Sequence, residues 1–426
     1  MRMIYFRLFY SNKKLLFVAI LLTFFAGFGK TFLFSLFIPD MIKEFNLTTT
    51  GFALIYSIAT ITSGILVFNL GKLIDRTKIV NYALIVAIGL VVSCSLLSFS
   101  YNLVFLFVAV LGMRLTGQGL MNHTSTTIIT QRFKRCRGKA LSLAIIGTPL
   151  GEAILPLIVA WGVHHYGWRP ALLSSSMVMA IILIPSIFFL LKQKKKVYEK
   201  FPGTKPRVKV QHTHKKWTIK KLIKDPRFYI VASPVFLLSF LVTTLMFFLV
   251  PIAQSKNCTP EQIAFAFPFF ATGNIIFTFY TGYLLDKLNG PKIFPYFLWP
   301  FALSLIVLLY GNHPYILYGA MFLAGASVGA GVTLESCMIA EIYGLKSLGN
   351  LKSVFTSVNI LSTAVGPLIT GILLDAGFTF HSIFSVLILF IGLSSLMSFK
   401  LQDEKFQLSF SKFAPIKTVK KLLIHK

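Results

Sequence analysis

Apolar runs of 18 or more residues recur along almost the whole chain, and nothing else in the sequence limits its fold so strongly. As a helix rising about 1.5 Å per residue, a run of roughly 20 such residues crosses the ~30 Å hydrocarbon layer of a bilayer. Twelve candidates can be read, at approximately 15–38, 52–71, 79–99, 102–123, 140–161, 170–191, 228–252, 263–285, 293–310, 315–337, 348–373 and 379–399. The predicted fold class is an all-α membrane protein with twelve transmembrane helices. Composition excludes the soluble alternatives, because no globular core can absorb 55% hydrophobic residues with only 13% charged ones.

A formal charge of +29 would suggest nucleic acid if it were spread over one face, so its placement decides its meaning. With the N-terminus assigned to the cytoplasm, 37 of the 42 Lys and Arg fall on that side, 14 of them in the stretch 192–227. Lys43, Arg169 and Lys256 fall in loops on the other side, and Lys30 and Arg114 fall inside spans. This bias is the positive-inside rule, which predicts cytoplasmic termini and makes the basicity a topology signal; no nucleic-acid partner is expected. The first span is too long for a secretory signal and no small-residue cleavage site follows, so it is expected to stay in the chain. Cys94, Cys136, Cys258 and Cys337 show no paired spacing, which supports neither a disulfide framework nor a metal site.

The basic stretch 192–227 divides the sequence into halves 1–191 and 228–399, followed by a basic tail, 400–426, whose Phe406, Phe410 and Phe413 suit a lipid interface. The halves repeat. Gly71, Asp75 and Arg76 after span 2 recur as Gly282, Asp286 and Lys287 at an offset of 211, and Gly117 and Gly119 of span 4 recur as Gly329 and Gly331 at 212. Two pseudo-symmetric six-helix halves around a central site are an architecture of secondary transporters.

These residues resemble the major facilitator superfamily over essentially the whole transmembrane length. The loop after span 2 is similar to that family's G-x-x-x-D-R/K-x-G-R/K-R/K motif, although Thr77-Lys78-Ile79 departs from its end; the second copy keeps Gly290 and Lys292. Arg114, Gly117 and Gly119 resemble its R-x-x-G-x-G motif, whereas Gly147 to Glu152 only loosely resembles the span-5 motif of drug antiporters. The resemblance implies alternating access, with Gly71, Asp75, Arg76 and Asp286 in gating. Asp75 would close one side against the N-terminus of span 11, where Ser347 can serve as N-cap.

An ionised side chain at mid-bilayer costs on the order of 2.5–3.5 kcal/mol, so each one needs a partner or a task. Arg114 and Glu152 each lie about 12 residues into their spans, near the midplane, and Lys30 lies slightly farther toward the outside. Two cations against one anion suit an anionic substrate. Arg114 can pair with Glu152 or take part in substrate binding and proton coupling; Lys30 can meet the substrate or snorkel outward. Glu152 is the proton-coupling candidate, since its protonation would follow the charge facing it. Gly27 to Phe45 weakly resembles the first span of the monocarboxylate-porter branch, which implies that Lys30 engages a substrate carboxylate. The second half offers only Asn274 and Asn359 at comparable depth, as substrate contacts or as interhelical links. His123 and Glu335 fall near the membrane interface, and His164 and His165 near a loop without an evident further ligand. Glycines and prolines of spans 5 and 11 suit either moving elements or close packing.

No phosphate-binding loop, zinc motif or nucleophile elbow occurs, so neither an enzyme nor an ATP-driven pump is expected. The sequence reading is a monomeric secondary transporter of a small organic anion such as a monocarboxylate, driven by a proton or other ion gradient, with no cofactor or metal, in a bacterial inner membrane. A siderophore importer, an efflux transporter and a transporter-like receptor are the alternatives.

Overall fold

The structure, a computed structural model, describes residues 9–10, 12–133, 137–191, 219–343 and 348–403, and among them there is no β-strand. Eleven of the described helices are long and apolar enough to cross a membrane. They are α2 (Thr49–Leu70), α3 (Ile79–Ser98), α4 (Leu103–Arg132), α5 (Ala140–Tyr166), α6 (Trp168–Leu191), α7 (Pro226–Phe247), α8 (Pro260–Lys287), α9 (Gly290–Tyr310), α10 (Ile316–Tyr343), α11 (Leu348–Asp375) and α12 (Phe380–Phe399).

The first expected span is present but is not one helix. It runs as Lys13–Phe25, a tight 3₁₀ turn Ala26–Gly29, Thr31–Phe34 and Ile38–Glu44, together called α1. Gly27 and Gly29 weaken the helix at the first break, and Lys30 takes an extended backbone, φ −96° and ψ 154°. The second break precedes Pro39, which can neither donate a backbone N–H nor tolerate the carbonyl four residues back. α7 breaks in the same way at Phe248, ahead of Pro251, and continues as Leu249–Gln254. The two prolines are 212 residues apart, so the repeat seen in the glycines extends to a shared helix break.

Helix starts carry their own signals. Thr48, Asn102, Asp225 and Thr379 accept N-terminal amides of α2, α4, α7 and α12, and Thr259 with Gln262 forms a capping box at α8. Within the bundle, α2 packs on α11 and α5 on α8, so these two pairs join the halves. The end carrying the basic loops is called the basic end below.

At the opposite end the halves are tied together. The Thr50 amide donates to Asp375 Oδ2 at 2.8 Å, His164 lies 3.9 Å from Glu261, and Phe247 packs edge-on against Tyr56 and tilted against Phe52. Phe32 meets Phe267, and the Ser57 hydroxyl donates to the Ala364 carbonyl at 2.6 Å. Toward the basic end α2 and α11 part around a groove of about 370 Å³ lined by Ile61, Gly64, Phe68, Asn69, Ser357 and Ile360.

Candidate substrate and coupling site

The centre of the first half is built on a close crossing of α1 and α4. A side chain on Gly29 would run into the Met113 carbonyl and the Gln118 amide, and one on Gly117 would lie 2.8 Å from the Gly29 Cα. Only glycine permits this approach. The R-x-x-G-x-G stretch of α4 is not ordinary α-helix, because Arg114–Met121 winds as a π-helix. Such segments are rare and are found mostly at functional sites.

Arg114 is 1% exposed and lies under this crossing. Its Nε donates to Thr60 Oγ1 and its Nη1 to the Gly29 carbonyl, both at 3.0 Å, and its guanidinium carbon sits 4.7 Å from the Tyr56 ring centroid. Nη2 has no hydrogen-bond partner. A buried donor left unmatched costs roughly 1–3 kcal/mol, more when charged.

Glu152 does not pair with Arg114. Its Oε1 lies 3.4 Å from Lys30 Nζ, and its Oε2 accepts the Asn274 side-chain amide at 3.4 Å. The expected arrangement, in which an Arg114–Glu152 pair leaves Lys30 spare, is therefore reversed: the spare cation is Arg114. The physical reason is the break in α1. Its extended residue turns Lys30 toward α5, where the side chains of Lys30 and Glu152 remain 21% and 10% exposed. Asn274 reaches this pair from α8 and so joins the halves at the site itself.

Asn359 belongs to another polar group, accepting from Ser239 Oγ at 3.0 Å and donating to Glu335 Oε2 at 3.4 Å. Glu335 thus bonds within the bundle rather than only standing at an interface. Gly71 opens the 3₁₀ turn Gly71–Asp75, its carbonyl lies 3.3 Å from His123 Nε2, and Arg76 is exposed. Gly282, its counterpart, has open space around it. The side chains of Asp75 and Asp286, residue Ser347, Cys136, the linker through 218 and the tail from 404 lie outside the described residues.

The sequence reading missed Tyr56 and Thr60, which position Arg114, and Asp375 and Glu261, which join the halves. A tyrosine in an apolar span was the available signal, since a buried hydroxyl needs a partner; Tyr56 finds one in Thr31 Oγ1 at 2.6 Å. His164 does have an acidic neighbour, contributed by the other half. Among the described residues no three His, Cys, Asp or Glu gather to hold a metal ion.

The sequence profile of the Major Facilitator Superfamily matches residues 19–290 and 235–424. The chain belongs to this superfamily. It is 26% identical over 382 residues to the uncharacterized MFS-type transporter YcxA of Bacillus subtilis, covering 85% of this chain and 89% of that one. It is also 26% identical over 316 residues to monocarboxylate transporter 12 of Rattus norvegicus, covering 67% and 64%. A crystal structure of a bacterial homolog of the human lysosomal transporter Spinster, inward-facing and unoccupied, superposes with a TM-score of 0.65 at 14% identity, over 95% and 96% of the two chains. That likeness shows the MFS fold. The protein is thus a multi-pass integral membrane transporter of the superfamily, acting on a small molecule and not an enzyme.

Proposed function

We propose that this transporter couples protons to the movement of a small organic anion, a monocarboxylate being the simplest case, by alternating access. One observation carries the reading: Lys30 is matched by Glu152 while the buried Arg114 has a free N–H and no carboxylate. The three charges leave one net positive charge in an apolar interior, and an anion with two acceptor oxygens is the ligand that neutralises it. A guanidinium binds a carboxylate through parallel N–H donors, so a planar carboxylate suits it better than a spherical ion.

The coupling follows from competition. A carboxylate arriving beside Lys30 takes the place of Glu152 as its counter-ion. A carboxylate deprived of its cation in a low-dielectric site is stabilised by protonation, so the anion and a proton enter together. Asn274 holds the same carboxylate from the other half and ties its state to the approach of α5 and α8. The name of the rat relative, a monocarboxylate transporter at 26% identity, supports the same substrate class. The distribution of Lys and Arg supports a cytoplasmic basic end, as in a bacterial inner membrane, and a single chain contains both halves of the site.

The test is substrate-induced proton flux in proteoliposomes loaded with a pH dye, challenged with carboxylates, a ferric siderophore and cationic drugs. Carboxylate-dependent acidification is expected, lost in Lys30→Ala and uncoupled from substrate exchange in Glu152→Gln. Proton movement driven only by a cation or a siderophore would refute the reading.

A further inference from the structure

Tyr56 stands at a junction that the charges alone do not explain. Its ring covers the Arg114 guanidinium at 4.7 Å, and its hydroxyl is bonded to Thr31 of α1 at 2.6 Å. Its backbone carbonyl accepts from Thr60 Oγ1 at 2.7 Å, the oxygen that receives Arg114 Nε. Its ring meets Phe34 edge-on at 5.9 Å and Phe247, from the second half, at 5.2 Å. Tyr56 and Phe247 are fully buried, and Arg114 is 1% exposed. Lys30 keeps 21% of its side chain exposed. In this conformation an anion can therefore reach Lys30 but not Arg114.

Phe247 is the last residue of α7 before its break, and it also contacts Phe52 at 5.9 Å. It lies among the contacts that close the end of the bundle opposite the basic loops. Opening that end requires Phe247 to leave Tyr56, which removes the aromatic contact that Tyr56 receives from the second half. A ring held over a cation by cation–π attraction is exchanged readily for a carboxylate, whose charge-assisted bonds to the guanidinium are stronger.

Resting on the anion reading above, we propose that Tyr56 is a lid on Arg114, locked from the second half by Phe247, so that the two cations serve the anion in sequence. Arg114 receives it with the end opposite the basic loops open, and Lys30 holds it with that end closed. Tyr56 is a positioning residue in this scheme, and Phe247 is its lock.

The test uses the full chain in lipid vesicles and phenylglyoxal, a reagent specific for guanidinium groups, with labelling at Arg114 measured by peptide mass spectrometry. Arg169, clamped on Glu44 at the end opposite the basic loops, is the internal reference. Phe247→Ala removes the lock, and Phe247→Leu keeps most of its volume if the smaller residue impairs folding. Labelling of Arg114 should rise on the order of tenfold in Phe247→Ala and less in Phe247→Leu, with Arg169 unchanged, the factor set by loss of an aromatic pair. Lactate should suppress the increase. An Arg114 rate within about twofold of the unaltered protein in both variants overturns the lid. The two readings fail separately: carboxylate uptake with unchanged labelling rejects the lid alone, whereas a protein that carries no carboxylate rejects the anion reading whatever Phe247 does.

Discussion

Lys30 and Glu152 form an ion pair that is only partly withdrawn from water, and their exposure sets what their removal costs. Breaking a fully buried pair by deleting one partner costs on the order of 3–5 kcal/mol, because the other charge is stranded. At 21% and 10% side-chain exposure, water screens part of this, and about 1–2 kcal/mol is expected. Lys30→Met and Glu152→Gln should each lower thermal stability in detergent, while the double variant K30M/E152Q recovers most of the loss. Two additive losses in that double-mutant cycle would show that the pair contributes no coupling energy. The partner assignment itself was not legible in the sequence. Counting residues from a helix end gives depth, and depth places Arg114 and Glu152 together. It does not give direction around the helix, which the extended residue Lys30 and the π-turns after Arg114 reset.

At the scale of elements, the crossing of α1 and α4 makes glycines with the same composition value behave in opposite ways. Ala is preferred over Gly in a helix by about 1 kcal/mol, so Gly→Ala should stabilise wherever space is free. Gly282 of α8 and Gly319 of α10 meet nothing within 4 Å of an added methyl group. Gly117→Ala instead drives a methyl against the α1 backbone 2.7 Å away at Gly29 N, and the overpacking should cost roughly 1–3 kcal/mol. Thermal unfolding of the three variants should therefore split by sign, Gly282→Ala and Gly319→Ala upward and Gly117→Ala downward. Gly117→Ala should also lose anion affinity, because the crossing supplies the Gly29 carbonyl that holds Arg114. Most of the element order was legible, since a span's length and apolar run are local properties and the repeat offset is read directly from Gly71, Gly117 and their copies. The π-helix and the broken α1 were not. A hydropathy window registers Gly27, Phe28 and Gly29 as apolar residues and carries no information on the backbone they adopt.

For the whole molecule, the balance between its two ends rests on few bonds, and Asp375 supplies one that can be weighed. Its carboxylate accepts the Thr50 amide at 2.8 Å, so the C-terminus of α11 caps the N-terminus of α2 across the boundary between the halves. A carboxylate at an exposed helix N-terminus contributes about 0.3–1 kcal/mol, which moves a two-state equilibrium by a factor of roughly two to five. Sequence comparison expects Asp75 to close the basic end against α11; Asp375 closes the opposite end against α2, using the same physics between the same pair of helices. Asp375→Asn keeps the shape and removes the charge. Spin labels at Leu47 and Thr379 should then report a larger fraction of the longer distance, with the shift falling within that factor. High salt should reduce the difference between variant and unaltered protein, since at 1 M the screening length is about 3 Å and an exposed charge loses most of its reach. A distance distribution unchanged by the substitution at low salt would mean that Asp375 adds nothing measurable to the closure, and that the other contacts at this end, those of Phe247, Phe32, Ser57 and His164, hold it closed without it.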